Sequence, residues 1–263
     1  MPTRWIAISK PRRLVCDLLH FAAKVPSIPV QRRMSLEAVV EAREALVDRP
    51  SWTAIFTKAL AAVSDEFPEF RRAYVKWPWT HFVEYDTTVG VVTFERDFEG
   101  ESAALFGRIK NPASLSLPDL NKILRDFSER PILEIKDFRR ALRIARLPRP
   151  LRRLAWWIGL NSTRYRARHF GTFGVSVYSA LGSESLHPIA PLTIVLNYGV
   201  IQPTGEVDVR IVYDHRVMDG TTVARALRYM EDVLSGPILF ELRELDQRAV
   251  HELANPQPAL SSP

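Results

Sequence analysis

The stretch from Val207 to Leu234, VDVRIVYDHRVMDGTTVARALRYMEDVL, restricts the fold more than any other part of the chain. Val207, Val209, Ile211 and Tyr213 alternate with Asp208, Arg210 and Asp214, the period-two pattern of a strand with one buried face. Beyond Asp219-Gly220, the residues Val223, Leu227, Met230 and Leu234 recur at helical spacing, with Gly220 or Thr221 as the start and Gly236-Pro237 as the stop. Any fold for this chain must therefore turn a half-buried strand into a core-facing helix at that point. His215 falls at the strand end. An imidazole aimed by a rigid strand end, followed four residues on by an aspartate and a turn-opening glycine, suits general-base chemistry. The carboxylate can fix the loop or pair with a cation.

From the N-terminus, residues 1–34 mix Pro11, Pro26 and Pro29 with the basic pairs Arg12-Arg13 and Arg32-Arg33, which predicts only short regular structure. Ser35 is placed to cap a helix SLEAVVEAREALV. Ser51 is placed to cap a second, in which Trp52, Ile55, Phe56, Ala59, Leu60 and Val63 fall on one face before Pro68. Residues 81–94 read as one or two strands, whereas Glu99 to Pro112 carry no clear pattern. A helix from Ser116 or Leu117 presents Leu117, Leu120, Ile123, Leu124 and Phe127. The segments 171–181, 191–201 and 206–214 read as strands and 221–235 as a helix. Pro237 suits the first position of a last short helix, and the tail 254–263, rich in proline and serine, is expected to be mobile.

Composition narrows the function classes. The single cysteine, Cys16, excludes an internal disulfide and four-cysteine zinc sites, so nothing asks for an oxidising compartment and a cytoplasmic protein is expected. Cys16 itself reads as a small packed residue, since no histidine partner lies in a recognisable pattern around it. The N-terminus lacks the apolar run of a signal peptide, and no run approaches a membrane span. His20, His81, His169, His187 and His251 are scattered without ligand spacing, so no metal is expected; His169 stands out only by adjoining the segment GTF. The net charge is +6, but Phe138 to Phe170 alone hold ten arginines and no Asp, Glu or Lys, leaving the remainder mildly acidic. A nucleic-acid binder would be basic more widely, so nucleic acid is not expected as a partner.

Three motifs together carry a family resemblance. YDHRVMDG, with its flanking strand and helix, resembles the catalytic domain of the dihydrolipoyl acyltransferases of 2-oxoacid dehydrogenase complexes, and the chloramphenicol acetyltransferases share that motif. RHFGTFGVSVYSALG is similar to their GTF-x-I-S-N-x-G segment, in the same order and at a similar distance upstream. SWTAIFTKALAAVSDEFPEFRRA is similar to a helix ending in a Pro-Glu-Phe or Pro-Glu-Leu turn in both groups. The resemblance implies an α+β fold, a two-layer α/β sandwich with helices packed on a mixed sheet. Residues 1–253 would form one catalytic domain with 138–170 as a basic insert.

The resemblance also implies roles. His215 would take a proton from an acceptor thiol, hydroxyl or amine, and Ser176 would hydrogen-bond the oxyanion of the tetrahedral intermediate. Asp219 would be structural, pairing with Arg12 or Arg13. The assembly implied is a homotrimer in which His215 of one chain faces Ser176 of the next. No cofactor is expected to be tightly bound; the cosubstrate would be acyl-CoA or a lipoyl or carrier-protein thioester. The chain departs from the family at Val177, where asparagine is usual, and in lacking the Gly-Leu-x-x-Pro segment around Gly100 to Ile109. It shows no lipoyl domain or Ala-Pro linker, so a lipoyl arm would come from another chain. An acyl-CoA enzyme, a partner of an oxoacid dehydrogenase complex and a silent trimeric scaffold are the three readings.

Neither acyltransferase group accounts for residues 138–170. Leu151, Leu154, Ala155, Ile158 and Leu160 sit with Trp156 and Trp157 among arginines, the composition of an interfacial helix, and Pro148 and Pro150 would separate two short helices. Arg152, Arg153, Trp156 and Trp157 are therefore candidates for contact with an anionic membrane surface, which would make the protein peripheral to a membrane. Alternatively, these arginines would bind the phosphates of CoA or an acidic carrier protein.

Overall fold

Residues 3–254 are described in the computed structural model of the chain; the expected mobile tail beyond Ala254 lies outside the described residues. The elements in order are α1 (Lys10–Ala22), β1 (Ser27–Ser35), α2 (Glu37–Ala45), α3 (Trp52–Glu66), β2 (Arg72–Val75), β3 (His81–Glu84), β4 (Val89–Phe98) and β5 (Glu101–Lys110). There follow α4 (Leu117–Glu129), α5 (Lys136–Ala145), α6 (Arg149–Asn161), α7 (Thr163–Phe170), β6 (Phe173–Val175), β7 (Ile194–Tyr198), β8 (Glu206–Asp214), α8 (Gly220–Val233) and α9 (Leu239–Ala254). Six strands form a mixed sheet in the order β1-β8-β7-β6-β4-β5, and β2 and β3 form a separate hairpin.

Alternation along the strands gives the sheet two unlike faces. Val92, Val175, Leu196 and Ile211 lie on one face and join Ile55, Leu60, Leu120, Leu227 and Met230 of α3, α4 and α8 in the main core. The same face continues along β5 as Leu105 and Ala103, packed by Phe138 and Leu142 of α5. The opposite face carries Val91, Thr93, Phe106, Gly174 and Val195, and here α1 and the α5–α7 segment overhang the sheet. Gly171 closes α7 with φ 83°, and a Cβ there would clash with the Val91 side chain. That close approach lets β6 enter beside β4.

The cap at Ser51 falls where the sequence places it, its hydroxyl accepting from the Ala54 N–H (3.2 Å), and of the two starts open for α4 the helix begins at Leu117, with Ser116 as a cap that accepts from the Asp119 N–H (3.2 Å). Other expectations are corrected. Residues 1–34 hold a full helix and all but the last residue of the nine-residue strand β1, because Pro11 occupies the first helical turn and Pro29 lies on the edge strand, where a missing N–H costs little. Ser35 ends β1 instead of capping α2; its N–H donates to Glu231 Oε1. The unclear segment 99–112 is the long edge strand β5, and only Phe173–Val175 of 171–181 is strand. Pro237 does not start a helix: a π-turn over Leu234–Ile238 carries α8 into α9 and absorbs it.

Candidate active site

The strand-to-helix turn after β8 is held from several sides. Asp214, almost fully buried, receives Arg216 through Nε (2.8 Å) and Nη2 (2.6 Å), and the Arg216 backbone N–H also donates to it (3.0 Å). The guanidinium lies 4.2 Å over the Tyr74 ring. The His215 backbone N–H donates to the Pro26 carbonyl (3.1 Å) in the turn between α1 and β1. With the flanking peptide fixed, the ring is aimed: His215 Nδ1 lies 3.1 Å from the Met218 carbonyl oxygen. A carbonyl only accepts, so Nδ1 carries a proton, and in the neutral tautomer that this selects the lone pair is on Nε2. The side chain is 43% exposed.

Asp219 stands apart from what the resemblance implies. Its side chain is 85% exposed, and its Oδ1 lies 3.6 Å from His215 Nδ1, too long for a hydrogen bond. Among the described residues no arginine of the chain lies within ion-pair distance of it. The Arg13 guanidinium instead donates to the Ile8 carbonyl (3.0 Å). Within the chain the expected pairing of Asp219 with Arg12 or Arg13 is not formed, because the carboxylate is turned to solvent. Asp219 serves as the N-cap residue of α8 through its carbonyl, without a side-chain capping bond.

Ser176 follows β6. Its N–H donates to Leu196 O (3.0 Å), and its carbonyl accepts from the buried Asn197 side chain (2.6 Å). Register separates it from His215. Phe173, Ile194 and Tyr213 are level across β6, β7 and β8, and β8 runs antiparallel to the other two. Ser176 therefore lies at one end of the sheet and His215 at the other, roughly 20 Å apart at ordinary strand rise and spacing. Within one chain the two cannot meet on one substrate.

The basic segment is also rearranged relative to expectation. Arg152, Arg153 and Trp156 are not surface contacts. Asp17 of α1 is fully buried; Arg152 Nε donates to its Oδ2 (2.7 Å), and Arg153 Nε lies 2.9 Å from Oδ1 without hydrogen-bond alignment. Arg152 also donates to Leu147 O (3.0 Å) and Arg153 to Cys16 O (3.3 Å). Trp156 stacks on Phe21 (5.9 Å) and packs against Phe170 (4.9 Å). The physical reason is that one buried carboxylate on α1 must be neutralised, and α6 supplies the cations. Trp157, adjacent in sequence, is exposed with Leu151, Leu154 and Ile158 and meets Trp77 edge-on at 6.5 Å.

Sequence reasoning missed Asp17, though its place on the packed side of α1 with Leu14 is a signal, because a carboxylate there needs a partner. It also missed a cluster at the edge of the sheet. Arg108 holds Asp137 bidentately, and Arg140 Nη1 lies 2.6 Å from His169 Nδ1. A guanidinium only donates, so His169 accepts and is neutral. Burial, with Arg140, Arg108 and Arg168, holds its pKa down at about 4. No group of three or more metal-ligating side chains exists among the described residues.

No protein-family model and no curated protein matches the sequence. Solved structures do match the fold. Dihydrolipoamide acetyltransferase of Azotobacter vinelandii superposes with a TM-score of 0.66 at 17% identity, over 89% of this chain and 92% of that one. For that protein a serine, a histidine and an asparagine have been studied in the catalytic mechanism. A truncated catalytic core of the 2-oxoacid dehydrogenase complex from Thermoplasma acidophilum gives 0.63 at 14% identity, over 89% and 99% of the two chains. A chloramphenicol acetyltransferase gives 0.50 at 14%, over 88% and 99%. With its mixed sheet, its helical layer and the strand-end histidine turn, this chain has the α+β fold of the chloramphenicol acetyltransferase-like acyltransferases.

Proposed function

We propose that the chain is an acyltransferase that moves an acyl group from a thioester carrier, acyl-CoA in the first instance, to a thiol, hydroxyl or amine. The observation that carries this is the His215 ring, locked by Met218 O into the tautomer that leaves Nε2 basic on an acyltransferase fold. Nε2 takes the proton from the acceptor as its heteroatom attacks the thioester carbonyl carbon. Ser176 donates a hydrogen bond to the oxyanion, the C–S bond breaks, and the imidazolium returns the proton to the departing thiolate. Asp219, four residues after His215, stays near the ring with its carboxylate 3.6 Å from Nδ1, beyond hydrogen-bond reach. Release of free CoA from a panel of acyl-CoAs tests the reading; no turnover with any thioester and any acceptor class would leave only a silent scaffold.

The separation of Ser176 from His215 supports a shared site between copies, and a homotrimer is the assembly we propose. Sedimentation is expected to give a trimer with activity confined to it. An active monomer would sink both the assembly and the shared site.

A second element of the reading concerns the exposed face of α6. Leu151, Leu154 and Ile158 recur at helical spacing beside Trp157, all exposed, while Arg139, Arg143, Arg146, Arg149, Arg164 and Arg168 are exposed on α5–α7. An apolar stripe with guanidinium groups around it, in a stretch with no acid between Phe138 and Phe170, suits an anionic lipid surface, each arginine adding on the order of 1 kcal/mol. No helix among the described residues is long and apolar enough to cross a membrane. The protein is expected to co-sediment with anionic but not neutral vesicles, to be released by high salt, and to bind less well as L154S/W157A. Failure of anionic vesicles to retain it at low salt would remove this element. A changed sedimentation coefficient in the variant would make the stripe a contact between copies.

A further inference from the structure

The face of the sheet that Ser176 borders carries a cavity of about 450 Å³. Its floor is Val91, Thr93, Phe106 and Val195; its roof is Leu14 and Leu18 of α1, Ile144 of α5 and Trp156 of α6. The buried Asp17–Arg152 pair ties α1 to α6 in that roof, and the connection between β6 and β7 closes the remaining side with Tyr178, Ile189 and Leu192. The volume falls within the range of small-molecule sites, which are mostly apolar with a few placed polar groups. Here the polar groups sit at two ends. Ser176 is at one, and the Arg108–Asp137 pair with Arg140 and His169 is at the other.

The far end does not call for a charged ligand. Arg108 is neutralised by Asp137, His169 is neutral, and Arg140 is solvent-exposed, so no buried charge on that wall lacks a partner. Arg108 is level with Val91 and Gly174, and Ser176 lies two residues further along and two strands away. The two ends are therefore roughly 12 Å apart. An extended hydrocarbon advances about 1.3 Å per carbon at ordinary bond lengths, so about eight to ten carbons span the gap.

We infer that this cavity holds the hydrocarbon chain of a medium-chain fatty acyl group, with its thioester carbonyl at Ser176. The inference rests on the acyl-transfer reading for the role of Ser176, but chain binding can be measured without turnover. The probes are decanoate, followed by calorimetry, and the pair decanoyl-CoA and acetyl-CoA, followed by thiol release. Ala141 on α5 lines the cavity, as does Ala104 on β5, and neither touches the proposed chemistry. Wild-type protein is expected to bind decanoate and to favour decanoyl-CoA over acetyl-CoA by at least about tenfold in kcat/KM, given the apolar area that the longer chain buries. Ala141→Phe, or Ala104→Leu if the first does not fold, should abolish that preference and leave acetyl transfer intact.

Turnover of acetyl-CoA without decanoate binding, or a preference that survives both fillings, would overturn the inference and leave acyl transfer standing. Decanoate binding that Ala141→Phe removes, in a protein that turns over no thioester, would support the chain site and overturn the acyl-transfer reading instead.

Discussion

Replacing His215 by alanine is expected to lower acyl transfer by ~10²–10⁴, the range for loss of a positioned general base. The folded protein should survive the change. The ring is partly exposed, and the turn around it is fixed by Asp214, Arg216 and the contact of the His215 peptide with Pro26, none of which needs the imidazole. Truncation removes only the bond to Met218 O and edge-on packing on Tyr213. Ser176→Ala should cost ~10²–10³ if its hydroxyl serves the oxyanion. Thiol release from the best acyl-CoA of the panel, with circular dichroism and sedimentation as controls, measures both. Wild-type turnover in the alanine variant at position 215 would end the mechanism.

The second large effect is on stability. Asp17→Ala strips the carboxylate from two arginines, one of them almost wholly enclosed between α1 and α6. Removing one partner of a buried pair typically costs ~3–5 kcal/mol, because the remaining charge stays desolvated. For a chain of this size that is a fall of roughly 10 °C in Tm, at about 2–4 °C per kcal/mol. Arg152→Met together with Asp17→Leu should recover part of the loss, since an apolar replacement of a buried pair is often tolerated. Calorimetric scans decide it: an alanine variant melting within 2 °C of wild type would mean that α6 docks on α1 by packing alone.

What the sequence made legible was local. The strand and helix around His215, the capped helices α3 and α4, and the break between α5 and α6 at Pro148 all follow from periodicity or capping within one element. What was illegible depended on distant partners. Pro11 and Pro29 looked like breakers because nothing local says that one opens a helix and the other lies on a sheet edge. Trp156 and Trp157 are neighbours of the same type, yet one faces Phe21 and the other solvent; α6 is apolar on both sides, so periodicity could not choose. The Asp17–Arg152 pair spans 135 positions, and only the fold shows which of the ten arginines are taken. The Ser176 and His215 motifs were both readable, but their placement at opposite ends of the sheet emerges only from the strand directions.

That placement makes two dead proteins able to repair each other. In the proposed trimer each site takes its imidazole from one chain and its hydroxyl from a neighbour. A chain lacking His215 still offers a working Ser176, and one lacking Ser176 still offers a working His215. Unfolded together in equal amounts and refolded at random, the two variants would assemble about one intact site in four around the ring. Activity would then rise from near zero in either parent to roughly a quarter of wild type in the mixture, a gain that two residues confined to one chain could never give.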